Sequence, residues 1–204
     1  MNISFYKYEG TGNDFIMIDN REFSFPKENN SLVNKLCDRH FGIGADGLIL
    51  LEKDSTTDFK MVYYNADGNE GTMCGNGGRC IVAFANKLGV IKDKTSFLAT
   101  DGLHHATIDN NLVSLQMIDV NNVDVFENHF FVNTGSPHHV QLVENIDNFD
   151  VVTNGRSLRN EYGAIGSNIN FVQQINESSF KVRTYERGVE DETLACGTGV
   201  TAVA

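Results

Sequence analysis

Hydrophobic residues in this chain fall into short runs separated by polar turns, and the runs follow two periods. Leu32, Val33, Leu36 and Cys37 recur at helical spacing on one face. They predict a helix over residues 26–39, with Asn29, Asn30 or Ser31 as its cap. Residues 48–51, 59–64, 106–108 and 112–117 read as strands, the last two joined by Asp109-Asn110-Asn111 as a hairpin turn. Further strands are expected at residues 129–133, 140–143, 168–173 and 180–185. Ile81, Val82, Phe84, Ala85 and Leu88 are spaced for a buried helix that Gly89 would end. Residues 200–204 open in a similar way. Short strands interleaved with helices give an α/β chain of the α+β kind.

The pattern occurs twice. Thr11-Gly12-Asn13 is echoed by Thr134-Gly135-Ser136, 123 positions later. Residues 59–65 are echoed by residues 180–186, 121 positions later, and Cys74-Gly75-Asn76-Gly77 by Cys196-Gly197-Thr198-Gly199, 122 positions later. Three echoes in the same order at nearly constant offset point to two similar domains, residues 1–118 and 119–204, joined through a linker-like stretch at residues 119–128. Related halves are expected to pack about a pseudo-two-fold axis, with equivalent residues facing one another across a cleft.

Composition narrows the classes. A net charge of −11 argues against nucleic acid as a partner, which would favour a basic face. No apolar run reaches the roughly 18 residues a membrane-spanning helix needs. The opening Met1-Asn2-Ile3-Ser4-Phe5-Tyr6-Lys7 lacks the order of a signal peptide. Four cysteines in such a chain read as free thiols in a cytoplasmic, reduced protein. No CxxC pair occurs, and Cys37-Asp38-Arg39-His40 alone makes a poor metal set, so no metal is expected.

The repeated cysteine carries the chemistry. Each Cys-Gly-x-Gly follows a strand-like run and leads into a helix-like one, which places Cys74 and Cys196 at helix N-termini. The dipole and the first-turn N–H groups there are expected to lower the thiol pKa and to receive a carboxylate. Inverting an amino-acid Cα requires a base on one face and an acid on the other. A thiolate and a thiol supply both, with no cofactor required in principle. Cys37 and Cys80 read as buried structural thiols.

The motifs resemble diaminopimelate epimerase. They are Gly10-Thr11-Gly12-Asn13-Asp14-Phe15, Gly42-Ile43-Gly44-Ala45-Asp46-Gly47, Tyr64-Asn65-Ala66-Asp67-Gly68, Met73-Cys74-Gly75-Asn76-Gly77-Gly78-Arg79-Cys80, Gly135-Ser136-Pro137-His138, Asn168-Ile169-Asn170-Phe171, and Tyr185-Glu186-Arg187-Gly188 leading into Ala195-Cys196-Gly197-Thr198-Gly199. The resemblance implies a cofactor-independent isomerase that interconverts LL- and meso-2,6-diaminopimelate in lysine and peptidoglycan precursor synthesis. It also implies two domains, each a mixed sheet curled around a central helix, with Cys74 and Cys196 catalytic. Asn13 would then contact the substrate near the reacting centre. Asn65, Asn168 and Arg187 would hold its distal end, and Glu186 would accept from an ammonium group. Gly75, Asn76, Gly197 and Thr198 would offer backbone N–H groups to the reacting carboxylate, with His138 in a supporting polar role. The chain departs from the family's common pattern at Gly47, often Gln, at Ser136, often Asn, and by one extra residue within 188–193. The family's chains continue beyond the point that Ala204 matches, so the second domain is expected to be incomplete.

Two alternatives stay open. A proline racemase or hydroxyproline epimerase also uses two cysteines, although Glu186 and Arg187 favour a substrate with a second amino-acid end. A non-catalytic redox or binding module could use the pair as a reversible disulfide. The small-molecule reading leaves a homodimer open and requires neither nucleic acid nor membrane.

Overall fold

Burial along each strand follows what its two faces meet: residues 102–109 alternate between buried and exposed, whereas residues 47–52, covered on both faces, are buried throughout. The computed structural model describes residues 3–71 and 73–204. Met1 and Asn2, the start of the segment read for a signal peptide, and Thr72 lie outside the described residues. The chain divides into two compact units, Met1–Gln116 and Met117–Ala204.

The first unit holds seven strands in an order equal to their chain order: β1 (Tyr6–Gly10), β2 (Asn13–Asp19), β3 (Gly47–Glu52), β4 (Phe59–Asn65), β5 (Lys94–Ala99), β6 (Gly102–Asp109) and β7 (Leu112–Leu115). Neighbours run antiparallel except β2/β3 and β4/β5, which are parallel. Each parallel pair is bridged by a helix: α1 (Asn30–Cys37) before β3 and α2 (Gly75–Lys87) before β5. All six residues of β3 are buried, since α2 covers one face and α1 the other. Helix α2 touches β1, β2, β3, β4, β6 and β7. A flat seven-stranded sheet is about 29 Å wide and a helix about 10 Å across. One helix reaches both edge strands only if the sheet curls around it.

The second unit orders its strands β13-β12-β11-β10-β9-β8, namely β8 (Val123–Val125), β9 (Phe130–Asn133), β10 (Pro137–Leu142), β11 (Asn168–Asn176), β12 (Ser179–Glu186) and β13 (Asp191–Thr193). Helix α3 (Val151–Glu161) packs on one face through Val151 against Ile169, Phe171 and Tyr185. Helix α4 (Gly197–Val203) presents Ala202 and Val203 to Val132, Val140 and Val172 on the other.

The sequence repeat is a repeat of topology. In both units an antiparallel pair (β1/β2, β9/β10) leads to a parallel one (β2/β3, β10/β11) and then to an antiparallel one (β3/β4, β11/β12). Where β13 pairs with β12 through Tyr185 and Glu192, the described residues of the first unit show an isolated bridge between Tyr64 and Glu70. The mixed α/β architecture matches the expectation.

Several elements differ from the sequence reading. Helix α1 is shorter than residues 26–39. Asn29 caps it by accepting from the Leu32 N–H, and Asp38 already turns extended. The stretch read as a linker contains β8, which pairs with β9. Strands β1, β2, β5 and β13 and helix α3 were not anticipated. By contrast, Asn110 and Asn111 both take positive φ, 47° and 70°, as a two-residue hairpin turn requires. Gly89 follows α2 at φ 70°, as expected of the residue ending it.

Candidate active site

Strands β2 and β3 begin, and β4 ends, at the same edge of the first sheet, because Phe15 pairs with Gly47 and Gly47 with Asn65. Alternation then puts Asn13, Gly47 and Asn65 on the face that bears Phe15, Ile49 and Met61, the α2 face. Cys74 is the N-cap residue of α2. The helix approaches the sheet closely there: a Cβ on Gly77 would stand 2.9 Å from Ile49 Cδ1. Gly199 plays the same part in the second unit, where a Cβ would stand 2.5 Å from Asn170 Oδ1.

Directional hydrogen bonds fix the side chains around Cys74. The Asp46 carboxylate, which can only accept, takes a bond from Asn13 Nδ2 at 2.8 Å. The Asn13 carbonyl oxygen therefore faces the other way, and it accepts from Cys74 Sγ at 3.5 Å and Asn76 Nδ2 at 3.3 Å. Asn76 is oriented from its far side, where its Oδ1 accepts from Arg79 Nη2 at 2.7 Å. Arg79 also donates to the Gly75 carbonyl and to Thr11 Oγ1. Asp46 is held by Arg39 at 2.6 Å, and Arg39 bridges on to Asp14 at 2.8 Å. Lys7 completes the cluster with a 2.6 Å bridge to Asp14. Burial pushes the Asp14 carboxyl up, but hydrogen bonds from Arg39 and Lys7 outweigh it and hold the group well below the usual carboxylate range.

In the second unit Cys196 caps α4 and is buried. Burial pushes its thiol up, and the Glu186 carboxylate adds to the rise. The Thr198 hydroxyl and the Gly199 and Thr198 N–H groups pull the other way without prevailing. The expected lowering by the helix terminus is thus not found for Cys196, because desolvation is the larger effect.

His138 is fully buried, and burial lowers its pKa to about 4, with Arg187 lowering it further and a bond from Asn170 opposing. The ring is therefore neutral near pH 7. Asn170 Nδ2 donates to Nδ1 at 3.0 Å, which puts the proton on Nε2. Nε2 then donates to Thr198 Oγ1 at 2.9 Å, leaving the Thr198 hydroxyl proton for Cys196 Sγ at 3.4 Å. Asn168 Oδ1 accepts from the Arg187 N–H at 2.9 Å, and the Arg187 guanidinium donates to the Ile165 carbonyl at 2.8 Å.

The structure thus gathers Asn13, Cys74, Gly75 and Asn76 at one helix start, with Asn65 on the same sheet edge. It gathers Cys196, Gly197, Thr198, His138 and Asn168 at the other, with Glu186 near enough to Cys196 to act on its charge. Arg187 joins through its backbone. Cys37 and Cys80 are buried free thiols, and desolvation raises them to about 11 and about 12. His139 is structural: it stacks on His129 with ring centroids 4.2 Å apart and bonds Tyr162 Oη. Sequence reasoning assigned no role to Thr11, Asp46, Arg79 or Asn170, although all four stand inside the motifs quoted for the resemblance. Arg39 and Lys7 carried no motif signal. No group of side chains suited to a metal occurs among the described residues. No helix there is long and apolar enough to cross a membrane.

A family model described as Diaminopimelate epimerase matches residues 5–121 and 130–204. The chain is 66% identical over 202 residues to a diaminopimelate epimerase of Flavobacterium psychrophilum, covering 98% of this chain and 79% of the relative. It is 42% identical over 225 residues to one from Aquifex aeolicus, covering 99% and 80%. Among solved structures, a PhzF-family phenazine biosynthesis protein of Bacillus anthracis superposes with a TM-score of 0.71 at 15% identity, covering 97% of this chain and 77% of that one. A hydroxyproline epimerase of Agrobacterium vitis gives 0.67 at 16%, covering 98% and 74%. These last two speak for the fold alone.

Proposed function

The chain belongs to the diaminopimelate epimerase family, and on that premise we propose that Cys74 and Cys196 invert one Cα of 2,6-diaminopimelate by two-thiol acid–base chemistry. The observation that carries the reading is the repeated cysteine. It stands at the N-cap of a helix that follows equivalent strands in both halves. Inversion requires one group for each face of the carbon, and a chain carrying the same cysteine twice supplies two. One sulfur, as thiolate, takes the Cα proton; the other, as thiol, delivers its own proton to the carbanion. Each turnover leaves the two sulfurs with exchanged protonation.

The surrounding groups serve these steps. Gly78 N–H makes the first helical bond of α2, to the Cys74 carbonyl at 2.7 Å. Gly75 and Asn76 stand in the first turn of α2, where the helix terminus favours the reacting carboxylate. Gly197 and Thr198 hold the corresponding places in α4. Asn13 offers Cys74 a carbonyl acceptor, which favours the thiol, whereas Thr198 offers Cys196 a hydroxyl donor, which favours the thiolate as it forms. Neutral His138 orients that hydroxyl. Asn65, Asn168 and Arg187 hold the distal amino-acid end, Arg187 by a bidentate pair with its carboxylate. Glu186 accepts from an ammonium group. The reading places the enzyme in the reduced cytoplasm, in lysine and peptidoglycan precursor synthesis.

The test is solvent deuterium exchange at Cα, under reducing conditions, with LL-diaminopimelate and with L-proline in parallel. Exchange into diaminopimelate alone is expected, and Cys74→Ser and Cys196→Ser should each lose most of it while keeping a folded spectrum. Exchange into proline alone would reassign the substrate. Wild-type turnover in either serine variant would refute the two-cysteine mechanism.

A further inference from the structure

The two halves carry different residues at corresponding strand ends. The residue that begins β11 is Asn168, while its counterpart at the start of β3 is Gly47, 121 positions earlier. Gly47 does not take positive φ, so the backbone does not call for glycine there. Space does. A Cβ on Gly47 would lie 2.5 Å from Tyr63 Cε2 and 3.2 Å from Tyr63 Oη. On the other side of the ring, a Cβ on Gly71 would lie 2.7 Å from Tyr63 Cε1 and 3.0 Å from Asn65 Nδ2. Gly71 is likewise absent from the positive-φ residues. Two glycines, distant in sequence, thus form a slot for one aromatic ring, and Phe15 meets that ring edge-on at 6.0 Å.

The slot delivers the phenol to one place. Tyr63 Oη donates to Asn65 Oδ1 at 3.0 Å. With its carbonyl oxygen engaged, the Asn65 amide is fixed in sense, and its Nδ2 is the end left to donate. Asn65 is exposed at the end of β4, on the sheet face that carries Asn13. We propose that Tyr63 is a positioning residue for substrate recognition. Held between Gly47 and Gly71, its hydroxyl orients Asn65 so that the amide N–H groups meet the distal carboxylate of the substrate. The Tyr63 ring and the Tyr64 carbonyl oxygen, 2.6 Å from the place of a Cβ, together occupy the space that a side chain at position 47 would fill. This inference rests on the substrate-binding part assigned above to Asn65.

Tyr63→Phe is the direct test, because it keeps the ring in its slot and removes only the hydroxyl. Kinetics with LL-diaminopimelate should show KM raised about fivefold with kcat within about twofold of wild type. Oriented binding at the distal end serves ground and transition states alike. In an Asn65→Ala background the same substitution should add nothing, since its effect passes through the amide. A Tyr63→Phe enzyme with wild-type KM would reduce Tyr63 to packing and overturn the inference. So would an undiminished effect in the Asn65→Ala background, which would mean that the phenol acts elsewhere. Absence of exchange in the wild-type protein would overturn the underlying epimerase reading and this one with it, a result distinct from the other two.

Discussion

Asp46→Asn tests whether the charge cluster on the first sheet governs Cys74. One carboxylate oxygen of Asp46 accepts from Asn13 Nδ2 and the Asp14 N–H, and the other accepts from Arg39. An amide of the same shape cannot satisfy all three. With its oxygen toward Asn13, its NH₂ meets the Arg39 guanidinium; turned about, its NH₂ meets the Asn13 NH₂. Hydrogen bonds to charged groups are worth about 1.5–3 kcal/mol. The Asp46 side chain is 42% exposed, so water replaces part of that and about 1 kcal/mol is a fair figure for the Asn13 orientation. About 1 kcal/mol corresponds to roughly a fivefold change in population. A released Asn13 amide turns an NH₂ toward Cys74 where it had offered a carbonyl, and the sulfur is then favoured as thiolate instead of thiol. The variant should therefore lose about fivefold in kcat/KM for deuterium exchange. The loss must be equal in both directions of epimerisation, because the overall equilibrium is fixed. Cys74 should also react faster with iodoacetamide at a given pH. A folded Asp46→Asn enzyme with wild-type exchange and wild-type alkylation would refute the orientation argument.

Thr198→Val removes the hydroxyl between His138 Nε2 and Cys196 Sγ. Iodoacetamide profiles of Cys196 should move to higher pH, and exchange should fall about tenfold. Glu186→Gln should move the same profile to lower pH, because the Glu186 carboxylate helps to raise this thiol; profiles that fail to move apart would contradict the assigned causes. Acid stability follows from His138 and His139, both neutral in the folded chain with pKa values lowered by burial to about 4. The unfolded chain titrates near 6.5, so it binds more protons between the two values. Stability is therefore full above about pH 6.5 and lost as pH falls toward about 4, by about 3 kcal/mol for a buried histidine with such a shift. Urea unfolding at pH 7 and pH 5 measures this. His139→Phe should roughly halve the slope, and an unchanged slope would trace the acid sensitivity to other groups.

The repeat was the most informative thing in the sequence, and its reach has a physical basis. Equivalent residues in the two units occupy equivalent ends of equivalent strands, so an offset read along the chain becomes a shared place in the topology. Strand positions were legible where apolar runs were dense, as in β3 and β4. Helix α3 was not, because only Val151 and Gly155 of its residues are buried. It packs through a glycine, with a Cβ at Gly155 falling 2.4 Å from Tyr185 Cβ, and glycine adds nothing to a hydrophobic pattern. Its remaining signal was the capping Asp150, which accepts from the Thr153 N–H at 3.0 Å. Arg39 and Lys7 were illegible for another reason. Arg39 joins Asp14 to Asp46, which become neighbours only through the parallel pairing of β2 and β3. Lys7 meets Asp14 only across the antiparallel β1/β2 pair, and the sequence reading anticipated neither strand.

Burial also explains why the thiol expectation failed at Cys196 while the choice of residue did not depend on it. A helix terminus supplies partial charge within its first turn, whereas taking a sulfur out of water opposes the thiolate whatever the backbone does. The two cysteines accordingly meet different partners. Cys74, only partly buried, faces the Asn13 carbonyl acceptor. Cys196, 8% exposed, faces the Thr198 hydroxyl and two backbone N–H groups, with the Glu186 carboxylate in range. The two copies of the repeat thus keep the sulfur in register and differ in what surrounds it: Asn13 against Ser136, Phe15 against His138, Gly47 against Asn168, Asn65 against Glu186. On the two-cysteine proposal, a substrate with one reacting and one distal amino-acid end would make unlike demands on the two halves. These four exchanges lie at the strand ends around the two cysteines, where such demands would be met.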